Sequence, residues 1–206
     1  MCLFLNQKFP LHASGIDCFM AGQLWRGLCN SLEEDTTGDA MIALHDFNHL
    51  PAHDAVALLH PCVAIPGWAD ALVRGRPYPS REALFITAQA LTQTWDDAAL
   101  TLALSAHPRI GEKPAGTGAE AALSRQEQGA VNDRDAGLAQ ALREANARYE
   151  ARFGRVFLIR AKGRSGEEIL QALHARLENS DAQEIRAALE QLREITLLRL
   201  EGVISE

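Results

Sequence analysis

The sequence predicts an all-α fold: a single-domain multi-helix bundle with one short extended segment. Three observations predict it. Alanine, leucine, glutamate and arginine are plentiful and aromatic residues make up only 6% of the chain, a composition that favours helix. From Met41 onward, apolar residues recur every three or four positions in one stretch after another, the helical period. Only "RVFLI", residues 155–159, reads as an extended apolar run, and one strand without a partner makes no sheet. At 206 residues the chain is long enough for one domain with a sizeable core.

Residues 1–40 hold three of the four cysteines (Cys2, Cys18 and Cys29) and no sustained period. They are expected to be an N-terminal extension upstream of a natural start at Met41, with the domain covering residues 41–206. After Met41, "PAHDAVALLHP" is a short helix stopped by Pro61. In "PGWADALVRG", Pro66 stands near the start of a helix and Gly75 past its end. "RPYPS" is held extended by its prolines, and Ser80 caps a helix with Leu84, Phe85, Ala88, Leu91 and Trp95 on one face. Asp96 or Asp97 caps the next, which runs through Leu100 and Leu104 and ends at His107-Pro108, because a residue before proline is pushed out of the α region.

Ser124 to Tyr149 gives the longest helical pattern, its stripe made by Val131, Leu138, Leu142, Ala145 and Tyr149. "SGEEILQALHARLE" starts with a capping box, Ser165 with Glu168, and turns Ile169, Leu170, Leu173 and Leu177 inward. The last helix starts at Ser180 or Asp181 and runs to about Gly202.

The composition excludes several functions. A formal charge of −7 opposes a nucleic-acid partner, since phosphate contacts need a basic face. No apolar run approaches the ~20 residues of a bilayer span, and the first residues do not form a secretion signal. Cys2, Cys18, Cys29 and Cys62 show neither a C-x-x-C pair nor zinc spacing, which suits free thiols in a reducing cytoplasm. There is no phosphate-loop order and no G-x-S-x-G element.

Four groups of residues can carry chemistry. His107 either caps a helix C-terminus, where the dipole favours it, or acts as an acid or base whose backbone Pro108 restricts. Ser124, Glu127 and Gln128 form "SRQEQ", readable as a capping box whose helix N-terminus also offers amides to an anion. On the last helix the apolar face runs Ile185, Ala188, Leu192, Ile195, and its next member is Arg199. A charge there is costly unless paired, so Arg199 either snorkels outward or meets an internal carboxylate or a carboxylate ligand. His45, His49 and His53 have the spacing of metal ligands on a helix, but Pro51 interrupts it, and no metal site is expected.

Taken in order, "RPYPS" (76–80), "HPRIGE" (107–112), "SRQEQ" (124–128), Asn146-x-x-Tyr149-x-x-Arg152-Phe153-Gly154, "VFLIRAKGRS" (156–165), "RLEN" (176–179) and the terminal "EITLLRL" resemble the 2-oxo-4-hydroxy-4-carboxy-5-ureidoimidazoline (OHCU) decarboxylases of urate degradation. The resemblance runs from about residue 44 to residue 201. It implies a helical homodimeric carboxy-lyase that forms S-allantoin without metal or organic cofactor. Within it, His107 and Glu127 are expected to be catalytic. Pro108, Ser124, Gln128, Phe157, Leu158, Ile159, Arg160, Ala161 and Arg199 are expected to bind substrate.

The chain departs from the commoner family pattern at Arg109-Ile110, where many members have Asp-Leu, at Phe153-Gly154-Arg155-Val156-Phe157, and in a slightly shorter segment after Gln128. It ends in Ile-Ser-Glu rather than a peroxisomal tripeptide, which suggests a bacterial-type, cytoplasmic enzyme. Two other readings compete. A helical protein-interaction module would scatter His107, Glu127 and Arg199 over the surface, whereas a metal-dependent hydrolase would gather His45, His49 and His53.

Overall fold

The computed structural model describes residues 41–105, 107–112, 118–129 and 135–206. The expectations for residues 1–40, with their three cysteines, and for Val131 lie outside the described residues. The described chain enters on β1 (Ile42–Ala43) and continues through α1 (Leu44–His49), α2 (Ala52–Leu59) and a 3-10 turn (His60–Cys62). Then come α3 (Trp68–Arg74), α4 (Arg81–Thr92), α5 (Asp97–Leu104), α6 (Ala119–Glu127), α7 (Ala136–Phe153), α8 (Gly166–Arg176), α9 (Asp181–Val203) and β2 (Ile204–Ser205).

The helix starts follow their caps. Ser80 Oγ accepts from Ala83 N–H at 3.1 Å and Asp96 Oδ1 from Ala99 N–H at 2.9 Å, and Ser165 with Glu168 forms the expected capping box. Ser180 and Gln183 form a second one at the head of α9. Each such cap satisfies amide donors that the first helical turn leaves without partners.

Several boundaries differ from the sequence reading, among them the end of α5, which comes at Leu104 rather than at His107-Pro108. Pro61 lies inside the 3-10 turn, so α2 passes into a tighter helix before the chain leaves it. Trp95 falls beyond the end of α4 yet is 8% exposed, buried by tertiary packing rather than by the stripe of that helix. The pattern from Ser124 to Tyr149 is two helices: α6 ends at Glu127, and α7 begins behind Asp135, whose Oδ1 caps Gly137 and Leu138. Gly202 sits within the last turn of α9, which ends because the chain turns into β2. β2 pairs in parallel with β1, Ile42 opposite Ile204 and Ala43 opposite Ser205. Two residues per strand are too few to show alternation in sequence.

Two apolar cores result. The first gathers Phe47, Leu59, Leu72, Leu84, Leu100, Leu192 and Leu200 from α1 to α5 and α9. The second gathers Ile110, Leu142, Tyr149, Phe157, Ile169 and Leu173 around α7 and α8. The extended run at 155–161 threads between them. Successive side chains of an extended chain point to opposite sides, so Leu158 enters the first core while Phe157, Ile159 and Ala161 enter the second.

Among the described residues that run has no strand partner, and two of its backbone groups are met by side chains instead. Arg160 N–H donates to Gln191 Oε1 at 3.0 Å, and Arg176 Nη1 donates to Leu158 O at 2.6 Å. Arg176 also lies 4.7 Å over the Phe157 ring and pairs with the buried carboxylate of Glu184. Tyr149 Oη and Asn179 Nδ2 donate to the same carboxylate. Burial, then the bond to Glu184, raises the Tyr149 phenol above its ordinary range and keeps it a donor.

"RPYPS" also has a structural role. Arg76 Nη1 reaches Phe47 O and Leu50 O at 2.6 and 2.7 Å, while Asn48 exchanges two hydrogen bonds with the Tyr78 backbone. Arg81 Nε, one residue after the motif, reaches Ile204 O at 2.9 Å. The motif thus ties α1 and α3 together at the head of α4, and Arg81 fastens that corner to β2.

Candidate active site

α5 ends at Leu104, three residues before His107, whose N–H donates to Leu104 O at 3.2 Å. The ring turns back on its own helix: Nδ1 stands 2.9 Å from Ala103 O. A carbonyl only accepts, so Nδ1 carries the hydrogen and, in the neutral ring, Nε2 carries the lone pair. The two readings of His107 are therefore compatible, since the cap uses one nitrogen and fixes the other.

The capping reading of Ser124 fails. α6 starts five residues earlier, at Ala119 behind Gly118, and Ser124 lies in its last turn, its carbonyl accepting from Gln128 N–H. The last turn presents carbonyls and negative potential, so the expected amide site for an anion at Ser124 is absent. Its hydroxyl, 2% exposed as a residue, stands 3.3 Å from Arg199 Nη2 instead.

Arg199 does not snorkel. Its side chain is 1% exposed and forms a fork on Glu127, Nε to Oε1 at 2.7 Å and Nη2 to Oε2 at 2.9 Å, with Nη1 3.3 Å from Pro61 O. Burying a charge costs several kcal/mol, and a bidentate carboxylate with further hydrogen bonds is the arrangement that offsets it. Both Glu127 oxygens accept from this fork, so the carboxylate offers a ligand lone pairs rather than a proton.

One pocket joins these groups. It is lined by His107, Pro108 and Ile110 from the segment after α5, by Ser124, Glu127 and Gln128 from the end of α6, by Phe157, Leu158, Ile159 and Ala161 from the extended run, and by Ile195 of α9. The space among these residues is about 350 Å³ with its open mouth included. Gln128 Oε1 accepts from Gly111 N–H at 3.0 Å, which turns its amide NH2 the other way.

Two of the expected binding residues stand outside this lining. Arg160 sends its guanidinium to Glu194, 3.1 Å away, and Arg199 supports Glu127 from behind. Ile110 and Ile195 line the pocket without having been expected to bind substrate. Ile195 could have been found, being one helical turn before Arg199 on the same stripe.

Cys62 lies close enough for both partners of the pair to act on it. Burial pushes its thiol up to about 12, Arg199 lowering it and Glu127 raising it further, so it stays a neutral thiol and a poor nucleophile. The His45 and His49 rings lie 4.4 Å apart and tilted by 42°, but His53 turns to Asp54. Among the described residues no three His, Cys, Asp or Glu side chains come together to hold a metal.

With His107, Glu127 and Arg199 brought together, comparison with known proteins becomes informative. The family model for OHCU decarboxylase matches residues 48–201. The chain belongs to the OHCU decarboxylase family. It is 34% identical to the 2-oxo-4-hydroxy-4-carboxy-5-ureidoimidazoline decarboxylase of Amia calva, over 70% of this chain and 81% of that one. To a putative decarboxylase of that name from Homo sapiens it is 31% identical, over 70% and 82%.

A crystal structure described as OHCU decarboxylase in the presence of (S)-allantoin superposes with a TM-score of 0.56 at 30% identity, covering 68% of this chain and 92% of that one. A uric acid degradation bifunctional protein of Bacillus sp. (strain TB-90) is 25% identical over 81% of this chain, which spans only 33% of it. Fish and human family members are thus matched beside a bacterial one, so the bacterial-type expectation is not borne out. The helical fold, in contrast, agrees with the solved family structure.

Proposed function

We propose that this chain is the decarboxylase of urate degradation that converts OHCU to S-allantoin, with His107 and Glu127 as its catalytic pair. One observation carries the assignment of roles: an imidazole of fixed tautomer and a carboxylate with a buried arginine behind it face the same pocket.

The substrate carries its own electron sink. Its carboxylate sits on C4, beside the C5=N unit. As the C4–carboxylate bond breaks, its electron pair moves into C4–C5 and the C5=N pair moves to nitrogen, which takes a proton; carbon dioxide leaves. The enol so formed gives up its C4 hydroxyl proton, and C5 gains one on a single face. His107 Nε2 makes the principal proton transfer, with its Nδ1 anchored on Ala103 O. Glu127 accepts from the hydroxyl and ureido groups, while Ser124 and the Gln128 amide contact substrate oxygens.

The apolar wall from Phe157 to Ile159, with Ile195 and Pro108, holds the carboxylate poorly solvated. Such a setting favours its departure as neutral carbon dioxide. Arg160 and Arg199 are assigned indirect parts, Arg160 through the bond of its N–H to Gln191, which holds the extended run, and Arg199 through Glu127.

Because the sink lies in the substrate, the reaction needs no metal or organic cofactor. Turnover after exhaustive dialysis against EDTA is expected to match that of the untreated protein. Loss of activity that added zinc restores would point instead to a metal enzyme.

We further propose a cytoplasmic homodimer formed by residues 41–206. Ile86 and Leu102 are large apolar side chains exposed at 62% and 46%, and no described helix is long and apolar enough to cross a membrane. A chain starting at Met41 is expected to sediment as a dimer with full turnover. A fully active monomer would remove the dimer, and an inactive chain would remove the boundary.

A further inference from the structure

Residues 107–112 follow α5 without helix or strand geometry. The His107 ring is tied to α5 through Ala103 O, and the backbone that carries it onward is held from outside as well. One face of α7 holds most of it. Leu142, Asn146 and Glu150 stand one helical turn apart on that face, and the loop runs against them in the opposite direction.

Leu142 meets Gly111, where a Cβ would lie 3.4 Å from the leucine side chain and where φ is +82°. Asn146 Nδ2 donates to Ile110 O at 3.0 Å. Glu150 accepts from Arg109 twice, Oε1 from Nε at 2.5 Å and Oε2 from Nη2 at 2.9 Å. Asn146 is 4% exposed, and Ile110 is buried beside Leu142 in the second core. A buried amide is unfavourable unless it is hydrogen-bonded. The Asn146 side chain meets that need at the backbone of the loop that carries His107.

We propose that this ladder on α7 is a positioning element for the reaction: Asn146, together with the Arg109–Glu150 pair, sets the register of the loop and so the orientation of the His107 imidazole in the pocket. The kinetic part of this inference rests on the decarboxylase reading; the part about the ring does not. A residue that only stabilises the fold would lower the melting temperature and leave the ring and the chemical step of the folded protein unchanged.

The experiment compares Asn146→Ala, Arg109→Ala and the charge-exchanged double variant Arg109→Glu/Glu150→Arg with the parent, well below the melting temperature of each. It reads kcat, KM and the ring-nitrogen NMR signals of His107, which are assigned by their loss in His107→Gln. Asn146→Ala is expected to shift or broaden those signals and to lower kcat about tenfold or more while KM changes by less than about threefold, because a misplaced catalytic group costs rate more than binding.

Arg109→Ala is expected to show the same effects at about threefold in kcat, the smaller loss reflecting a partly exposed pair. The charge exchange is expected to restore much of that loss. Should Asn146→Ala fail to fold, the Arg109 variants carry the test. His107 signals like those of the parent in every folded variant would overturn the proposal, as would a charge exchange that recovers nothing. If the parent itself forms no S-allantoin, the decarboxylase reading fails, and the ring signals still decide this inference.

Discussion

His107→Gln is expected to lower kcat for S-allantoin formation by roughly 10²- to 10⁴-fold, the usual contribution of a positioned acid or base, while the protein stays folded. A glutamine amide can still donate to Ala103 O, so the helix end keeps its cap. What it lacks is a nitrogen that both takes and returns a proton near neutral pH. Since that transfer belongs to the transition state, kcat and kcat/KM should fall together with little change in KM. His107→Ala should lose as much activity and some stability besides, because it also removes the cap. A glutamine variant at the parental rate would return His107 to a purely structural role.

The second large effect concerns the Glu127–Arg199 pair. Glu127→Ala leaves a guanidinium that is 1% exposed without its carboxylate. Breaking a buried pair from one side typically costs on the order of 3–5 kcal/mol, a fall in Tm of about 6 to 20 °C for a domain of this size. Activity should fall with it.

Stability and catalysis separate in the double variant Glu127→Gln/Arg199→Met, which removes both charges at similar volume. Its Tm is expected to recover toward that of the parent, since paired charges contribute little net stability over apolar replacements, while turnover stays low. Arg199→Lys keeps a charge but loses the fork, and turnover should fall because Glu127 is no longer held by both oxygens. A double variant that regains turnover along with Tm would show that the pair only builds the fold, and an Arg199→Lys variant with parental kinetics would remove the fork from the account.

The helices were legible in the sequence because their signals are local. Ser80, Asp96, Ser165 and Ser180 cap where cap residues stand, and the inward stripes of α8 and α9 are largely buried as the period requires. Arg199 was legible as an anomaly, since a charge on an apolar stripe demands a partner, but the stripe could not say which. Its carboxylate lies seventy-two positions earlier, and nothing local links the two.

The Ser124 error has the opposite cause. Ser-x-x-Glu is a true local signal for a helix start, yet tertiary packing starts α6 at Ala119, behind a glycine without a side-chain cap. Ser124 and Glu127 are left to face Arg199. The ladder of Leu142, Asn146 and Glu150 was hidden for a related reason. Sequence reading placed Leu142 on a core stripe and Asn146 within a motif, but their shared partner is a loop that only the fold brings alongside. "RPYPS" belongs to the same recognisable pattern, yet it serves a corner of the bundle away from the pocket.

The most direct test of the central claim is circular dichroism of allantoin as it forms. OHCU is generated in situ by the preceding enzymes of urate degradation, and the optical signal is followed with and without this protein. The account predicts rapid appearance of the S enantiomer when the protein is present, and its disappearance when His107→Gln replaces the parent. Allantoin that forms at the uncatalysed rate, without enantiomeric excess, in the presence of the folded protein would contradict it.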